Sequence, residues 1–177
     1  ATFVYKDKST GPPKVNLQPN DAAHPPSDVA TTTIDQGVTV PYVVRIETGY
    51  MDRDQYKIAM LYRPGKPWTP FSPQQQWDHK LLIMHGASCA AQYKTGAAPD
   101  VTGSSNVTSP TGRYALGKGF MTMSTALDNS GHDCNVAIQA ESLVMAKQYI
   151  ATHYGLLRYT IGTGCSGGSL AVQWVAN

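Results

Sequence analysis

The chain has 177 residues, 41% of them hydrophobic and 15% charged, which suits one domain with a substantial core and argues against disorder. Its 14 Lys and Arg against 12 Asp and Glu leave a net charge of +2, and no basic run occurs, so a nucleic-acid partner is excluded. No stretch reaches the roughly 18 consecutive apolar residues of a membrane helix, and no signal-peptide pattern is present.

Ala1 to Tyr5 alternates like a strand, and the segment from Ser9 to Asp28, rich in Pro, Asn and Asp, reads as an extended surface connection. Residues 1–30 are therefore expected to be an extended linker. Val38 to Glu47 and Gln55 to Tyr62 are strand-like runs separated by "TGYMDRD" and predict an antiparallel pair at a sheet edge. Arg63 to Lys80 carries four prolines and predicts a loop. "KLLIMHG" and "GFMTMSTAL" (Gly119 to Leu127) are apolar on consecutive positions, as parallel strands covered on both faces should be.

Val136, Ala140, Leu143, Val144 and Ile150 recur at helical spacing, with Asn135 as N-cap and Gly155 placed to end the helix. "RYTIGTG" then gives another strand and "GGSLAVQWVAN" another helix. Strand, strand, helix, strand, turn and helix in that order predict an α/β sheet with parallel crossovers.

Gly164-Cys165-Ser166-Gly167-Gly168 satisfies G-x-S-x-G. The pattern is weak alone, but here a strand ends before it and a helix starts after it, which is the context a nucleophile elbow requires. Small residues two positions either side of Ser166 let strand and helix pass closely and leave Oγ exposed. The plainer reading is a Gly-rich turn, with or without a phosphate on the helix N-terminus. A serine nucleophile also needs a general base, an orienting acid and oxyanion donors. The donors are expected from the backbone N–H of Gly167 and from Ala87 or Ser88 in "HGASCA", the loop after the earlier buried strand. His85 in that loop reads as a group that shapes it, not as the base.

In this fold class the acid and the histidine follow the serine. Only 11 residues follow Ser166, and none is Asp, Glu or His. The pattern predicts that they lie on a remaining segment or chain of the same precursor, outside these 177 residues. It calls for no cofactor and no metal.

Other signals carry less. "GRYALGKG" (Gly112 to Gly119) resembles a phosphate-binding loop, but Gly119 stands where Ser or Thr should hold Mg²⁺ and a strand follows instead of a helix. "GHDC" (Gly131 to Cys134) has no second ligand pair at zinc spacing. Trp68, Trp77 and Tyr93 read either as cleft residues or as pins for proline-rich loops. Asn106-Val107-Thr108 has the form of a glycosylation sequon. Three cysteines, Cys89, Cys134 and Cys165, permit one disulfide with one residue over.

"RYTIGTGCSGGSLAVQ", "HGASCAAQY" and "ALDNSGHDCN" together resemble a group of large secreted bacterial proteins of unassigned function built on an α/β-hydrolase core. The likeness runs from about Ala30 to Asn177 and is more distantly similar to the tannase and feruloyl esterase group. It implies that 31–177 is the N-terminal portion of an α/β-hydrolase domain with a mostly parallel sheet, incomplete in this chain. It also implies a secreted or periplasmic location, and that residues 1–30 are the tail of a preceding N-terminal region. In the tannase group the cysteine before the nucleophile pairs with one beside the catalytic histidine. Carried over, this gives Cys165 a partner outside the chain and leaves Cys89 to pair with Cys134. Gly167 departs from that group, which usually has Thr there, so its tannin or feruloyl substrate is not carried over.

The expectation is a serine hydrolase of small-molecule or polymeric carboxylic esters. The alternatives are an amide or lactam hydrolase, or a non-catalytic binding module on the same fold.

Overall fold

The computed structural model describes residues 1–9, 17–103 and 111–176. The sequon at Asn106 lies outside the described residues. Nine strands and three helices occur among them: β1 (Thr2–Lys6), β2 (Leu17–Pro19), β3 (Thr31–Thr33), β4 (Thr39–Pro41), β5 (Val43–Met51), β6 (Asp54–Leu61), β7 (Lys80–Met84), α1 (Thr111–Gly117), β8 (Met121–Thr125), α2 (Val136–His153), β9 (Tyr159–Thr163) and α3 (Gly167–Val175).

Seven strands form one sheet in the order β2-β1-β5-β6-β8-β7-β9, and β3 and β4 form a separate ribbon. The sheet is mixed, which corrects the expectation of a mostly parallel one. The pairings β1–β2, β1–β5, β5–β6 and β6–β8 are antiparallel, while β7–β8 and β7–β9 are parallel. The tight hairpin between β5 and β6 makes that pair antiparallel, and each parallel pair, β7–β8 and β7–β9, is separated by a helix-bearing stretch.

The β5–β6 pair is interior, not at an edge, because β1 covers the far side of β5. Its strands also run further than the sequence suggests. Met51 pairs with Asp54, and the two-residue turn uses Asp52 and Arg53 at φ 50° and 70°. Such a turn normally carries glycine or asparagine, so its site was hidden.

α2 begins as expected, with Asn135 Oδ1 accepting from the Ala137 and Ile138 N–H groups. Gly155, at φ 126°, follows its end. Its buried face is Gln139, Ser142, Leu143, Ala146 and Ile150. Val136 and Val144 are exposed, so the apolar positions alone misplaced the stripe. Gln139 and Ser142 can be buried because they hydrogen-bond Ser130 and Thr125.

The sheet has a core on each face. Ile58, Met60, Leu81, Ile83, Met121 and Met123 pack against α2 residues Leu143, Ala146 and Ile150. On the other face Val44, Ala59 and Leu61 pack against Ile34, Val40 and Leu116, from the ribbon region and α1. The stretch that mimicked a phosphate loop is α1 itself.

Candidate active site

Ser166 sits between β9 and α3 at φ 54°, ψ −116°. A non-glycine residue there is strained. Its side chain makes no capping hydrogen bond, and the residue is exposed. Its carbonyl accepts from the Ser169 N–H at 2.9 Å, so the backbone starts the helix while Oγ stays free. A Cβ on Gly164 would lie 2.4 Å from the Gly168 carbonyl oxygen. Strand and helix therefore pass at a distance only glycine permits.

The loop after β7 closes over this turn. The His85 N–H donates to the Thr163 carbonyl at 2.9 Å and the Cys165 N–H to the Gly86 carbonyl at 3.0 Å. Gly86 and Ser88 both have positive φ, 73° and 72°. A Cβ on Gly168 would lie 2.1 Å from the Gly86 carbonyl oxygen, and one on Gly167 1.7 Å from that of Ser88. The structure thus brings Ser88 against Gly167, while the Ala87 carbonyl oxygen faces Gly131. The N–H groups of Ala87, Ser88 and Gly167 make no hydrogen bond among the described residues.

Cys89 and Cys134 form a disulfide with Cα atoms 5.0 Å apart, the pair the resemblance implied. Around it the loops after β7 and β8 pair as a short ribbon: Ala90 N–H to Ser130 O at 3.0 Å, Gln92 N–H to His132 O at 3.0 Å, and Cys134 N–H to Ala90 O at 2.7 Å. Cys165 is free and exposed.

His85 is buried with its Nδ1 2.8 Å from Asp128 Oδ1. Asp128 Oδ2 is buried without a partner. Burial pushes the Asp128 carboxyl up to about 6, against the opposing hydrogen bond and charge of His85. The other histidines are also engaged. His132 Nε2 lies 3.2 Å from Asp54 Oδ2, His24 is on Asp21, His79 on the Leu156 carbonyl and His153 on the Tyr149 carbonyl. None of the five histidines of the chain hydrogen-bonds Ser166 among the described residues.

Two features were missed by the sequence reading. The first is the His132–Asp54 pair, whose carboxylate also accepts from the Gly96 N–H. It sits in the wall of a cavity of about 610 Å³ that Tyr93 and Lys94 also line. The second is Glu47, whose carboxylate accepts from the Tyr56, Tyr149 and Tyr154 hydroxyls and pairs with Arg45 at 2.9 Å. Burial pushes the Glu47 carboxyl up, but the hydrogen bonds from Tyr149, Tyr154, Tyr56 and Arg45 outweigh it and hold the group at about 2. A charged pair at alternate positions of an apolar strand was the available signal. Of the aromatics, Trp77 is a core residue, Trp68 packs on Tyr154, and Tyr93 is fully exposed.

The chain is thus an α/β protein with a mixed sheet of seven strands and an exposed serine on a strained strand-to-helix turn. It belongs to a tannase-like family of unknown function (DUF6351), which matches it over residues 1–177. No curated protein matches the chain, and no solved structure does. No helix among the described residues is long and apolar enough to cross a membrane.

Proposed function

We propose that this chain is the N-terminal portion of a secreted serine hydrolase of the α/β-hydrolase fold that cleaves carboxylic esters. The observation that carries the reading is the backbone of Ser166, held at φ 54°, ψ −116° with its hydroxyl exposed. Strain of this kind costs about 1–3 kcal/mol and persists where it serves a site. The order β8-β7-β9, with the serine strand beside the strand that carries the Gly86–Ser88 loop, supports the same reading.

In this mechanism Ser166 Oγ attacks the ester carbonyl carbon as a base removes the hydroxyl proton. The carbonyl oxygen becomes an oxyanion that accepts from the free N–H groups of Gly167 and of Ala87 or Ser88. The tetrahedral intermediate collapses, the C–O bond to the alcohol breaks, and the proton passes to the leaving alkoxide. Water then attacks the acyl-serine by the same route and releases the acid. None of the described histidines hydrogen-bonds Ser166, so in this reading the base and its acid come from a segment outside this chain. Cys165, beside the nucleophile, supplies a thiol to which such a segment can be tied.

The test is labelling with a fluorophosphonate probe on native material, with peptide mass spectrometry and a record of every intact chain mass. An adduct on Ser166 that Ser166→Ala abolishes supports the reading. Absence of label when all segments of the precursor are present overturns it in favour of a non-catalytic module. Rates on matched ester and amide substrates decide the leaving group.

A further inference from the structure

Ser166 follows the end of β9, whereas His153 and Tyr154 precede its start. At that opposite end lies a second cavity, of about 290 Å³, lined by Arg45, Glu47, Tyr62, Trp68, Tyr149, His153 and Tyr154. The proposed hydrolysis uses none of these residues.

The polar floor of the cavity has one open valence. A carboxylate offers about four acceptor positions, and Glu47 uses them on three tyrosine hydroxyls and Arg45. It can take nothing more from a ligand. Arg45 is different. Its Nη1 serves both Glu47 and the Tyr154 hydroxyl, at 2.9 and 2.5 Å, while its Nε and Nη2 have no partner among the described residues. That edge of a guanidinium is a planar fork of donors matched to a carboxylate. Glu47 holds the fork in place without filling it.

The walls set the rest of the ligand. The Tyr149 and Tyr154 hydroxyls are committed to Glu47, and Trp68 Nε1–H donates to the Tyr154 carbonyl at 2.9 Å. Tyr149 stacks on His153, centroids 4.1 Å apart, and the Arg45 guanidinium lies 5.8 Å from the Tyr154 ring centroid, so the ring surface left to a ligand is that of Tyr62 and Trp68. Tyr62 and Trp68 lie parallel, their centroids 6.4 Å apart, and Trp68 meets Tyr154 edge-on at 5.7 Å. Rings fixed in this way favour a flat apolar partner with little ordering cost.

We propose that this cavity is a non-catalytic binding site for a small aromatic carboxylate, with its carboxylate on the free edge of Arg45 and its ring against Tyr62 and Trp68. The site would respond to an aromatic acid independently of turnover at Ser166.

The experiment is calorimetric titration of the full chain with benzoate, acetate and benzyl alcohol, repeated on Ser166→Ala, Arg45→Gln and Tyr62→Ala. Benzoate binds the unmodified chain and Ser166→Ala alike, and acetate and benzyl alcohol bind more weakly. Loss of a charge-assisted contact weakens benzoate roughly tenfold or more in Arg45→Gln. Tyr62→Ala leaves the Arg45–Glu47–Tyr154 contacts intact and also weakens it, so a folding defect in the arginine variant does not decide the matter. Absence of benzoate binding, acetate binding as tight as benzoate, or affinity unchanged in both Arg45→Gln and Tyr62→Ala overturns the proposal. Because Ser166→Ala should bind normally, failure of this site and failure of the serine reading are separable.

Discussion

Ser88 and Gly167 meet backbone to backbone: a Cβ placed on Gly167 would lie 1.7 Å from the Ser88 carbonyl oxygen. The loop after β7 and the first turn of α3 are one packed unit, and the space between them is the site where oxyanion donors are proposed. Gly167→Ala must move that backbone. Overpacking of this kind costs about 1–3 kcal/mol or more, and the thermal midpoint should fall measurably. Serine labelling should fall further than the loss of folded protein explains.

The strain at Ser166 has a direct readout. Glycine adopts its φ of 54° and ψ of −116° without the Cβ clash, so Ser166→Gly should raise stability by about 1 kcal/mol relative to Ser166→Ala. Both variants should lose labelling. Chemical denaturation of the pair checks this, and equal stabilities would mean the turn carries no strain.

The disulfide Cys89–Cys134 closes a loop of 45 residues. Replacing both cysteines by serine should cost about 2–4 kcal/mol and slow labelling of Ser166, since Cys89 follows Ser88 directly. Cys165→Ser, at a free and exposed position, should change the midpoint little. Melting curves of the two variants side by side are the measurement.

Two carboxylates give stability opposite dependences on pH. Asp128 holds its proton more tightly in the folded state, at about 6 against an ordinary 3.8. Its contribution is therefore fully present below pH 3.8 and is lost as pH rises through 6. Glu47, at about 2 against an ordinary 4.5, contributes above pH 4.5 and loses that contribution as pH falls towards 2. The Glu47 contribution is on the order of 2 kcal/mol after allowance for partial exposure. Denaturant midpoints measured from pH 3 to 8 should fall less steeply between about 4 and 6 in Asp128→Asn, and less steeply at the acid end in Glu47→Gln.

The strands that surround the serine were legible because two kinds of signal agreed. Consecutive apolar positions in "LLIM" and "MTMST" marked strands buried on both faces, and the glycines around Ser166 marked a turn where backbones nearly touch. The antiparallel pairing of β5 with β6 was legible, but its turn at Asp52 and Arg53 was not, since neither residue is the glycine such a turn favours. β1 and β2 were not placed in the sheet, because strand partners are set by contacts far apart in sequence. The same limit hid both the His132–Asp54 pair and the tyrosine ring around Glu47. Each joins side chains from separate elements, and nothing local announces that a Glu on β5 will face tyrosines 102 and 107 positions away.

The covalent tie between Cys89 and Cys134 falls immediately after the residues that touch Gly167 and immediately before the segment that carries Tyr93 and Lys94. It divides one surface loop into two mechanical zones. Upstream of the tie, Gly86 and Ser88 lie against the serine turn. Downstream, Tyr93, Lys94 and Thr95 are exposed and line the cavity that holds the His132–Asp54 pair. One loop thus carries, on either side of a single covalent bond, the backbone that meets the serine turn and the side chains that line the larger cavity.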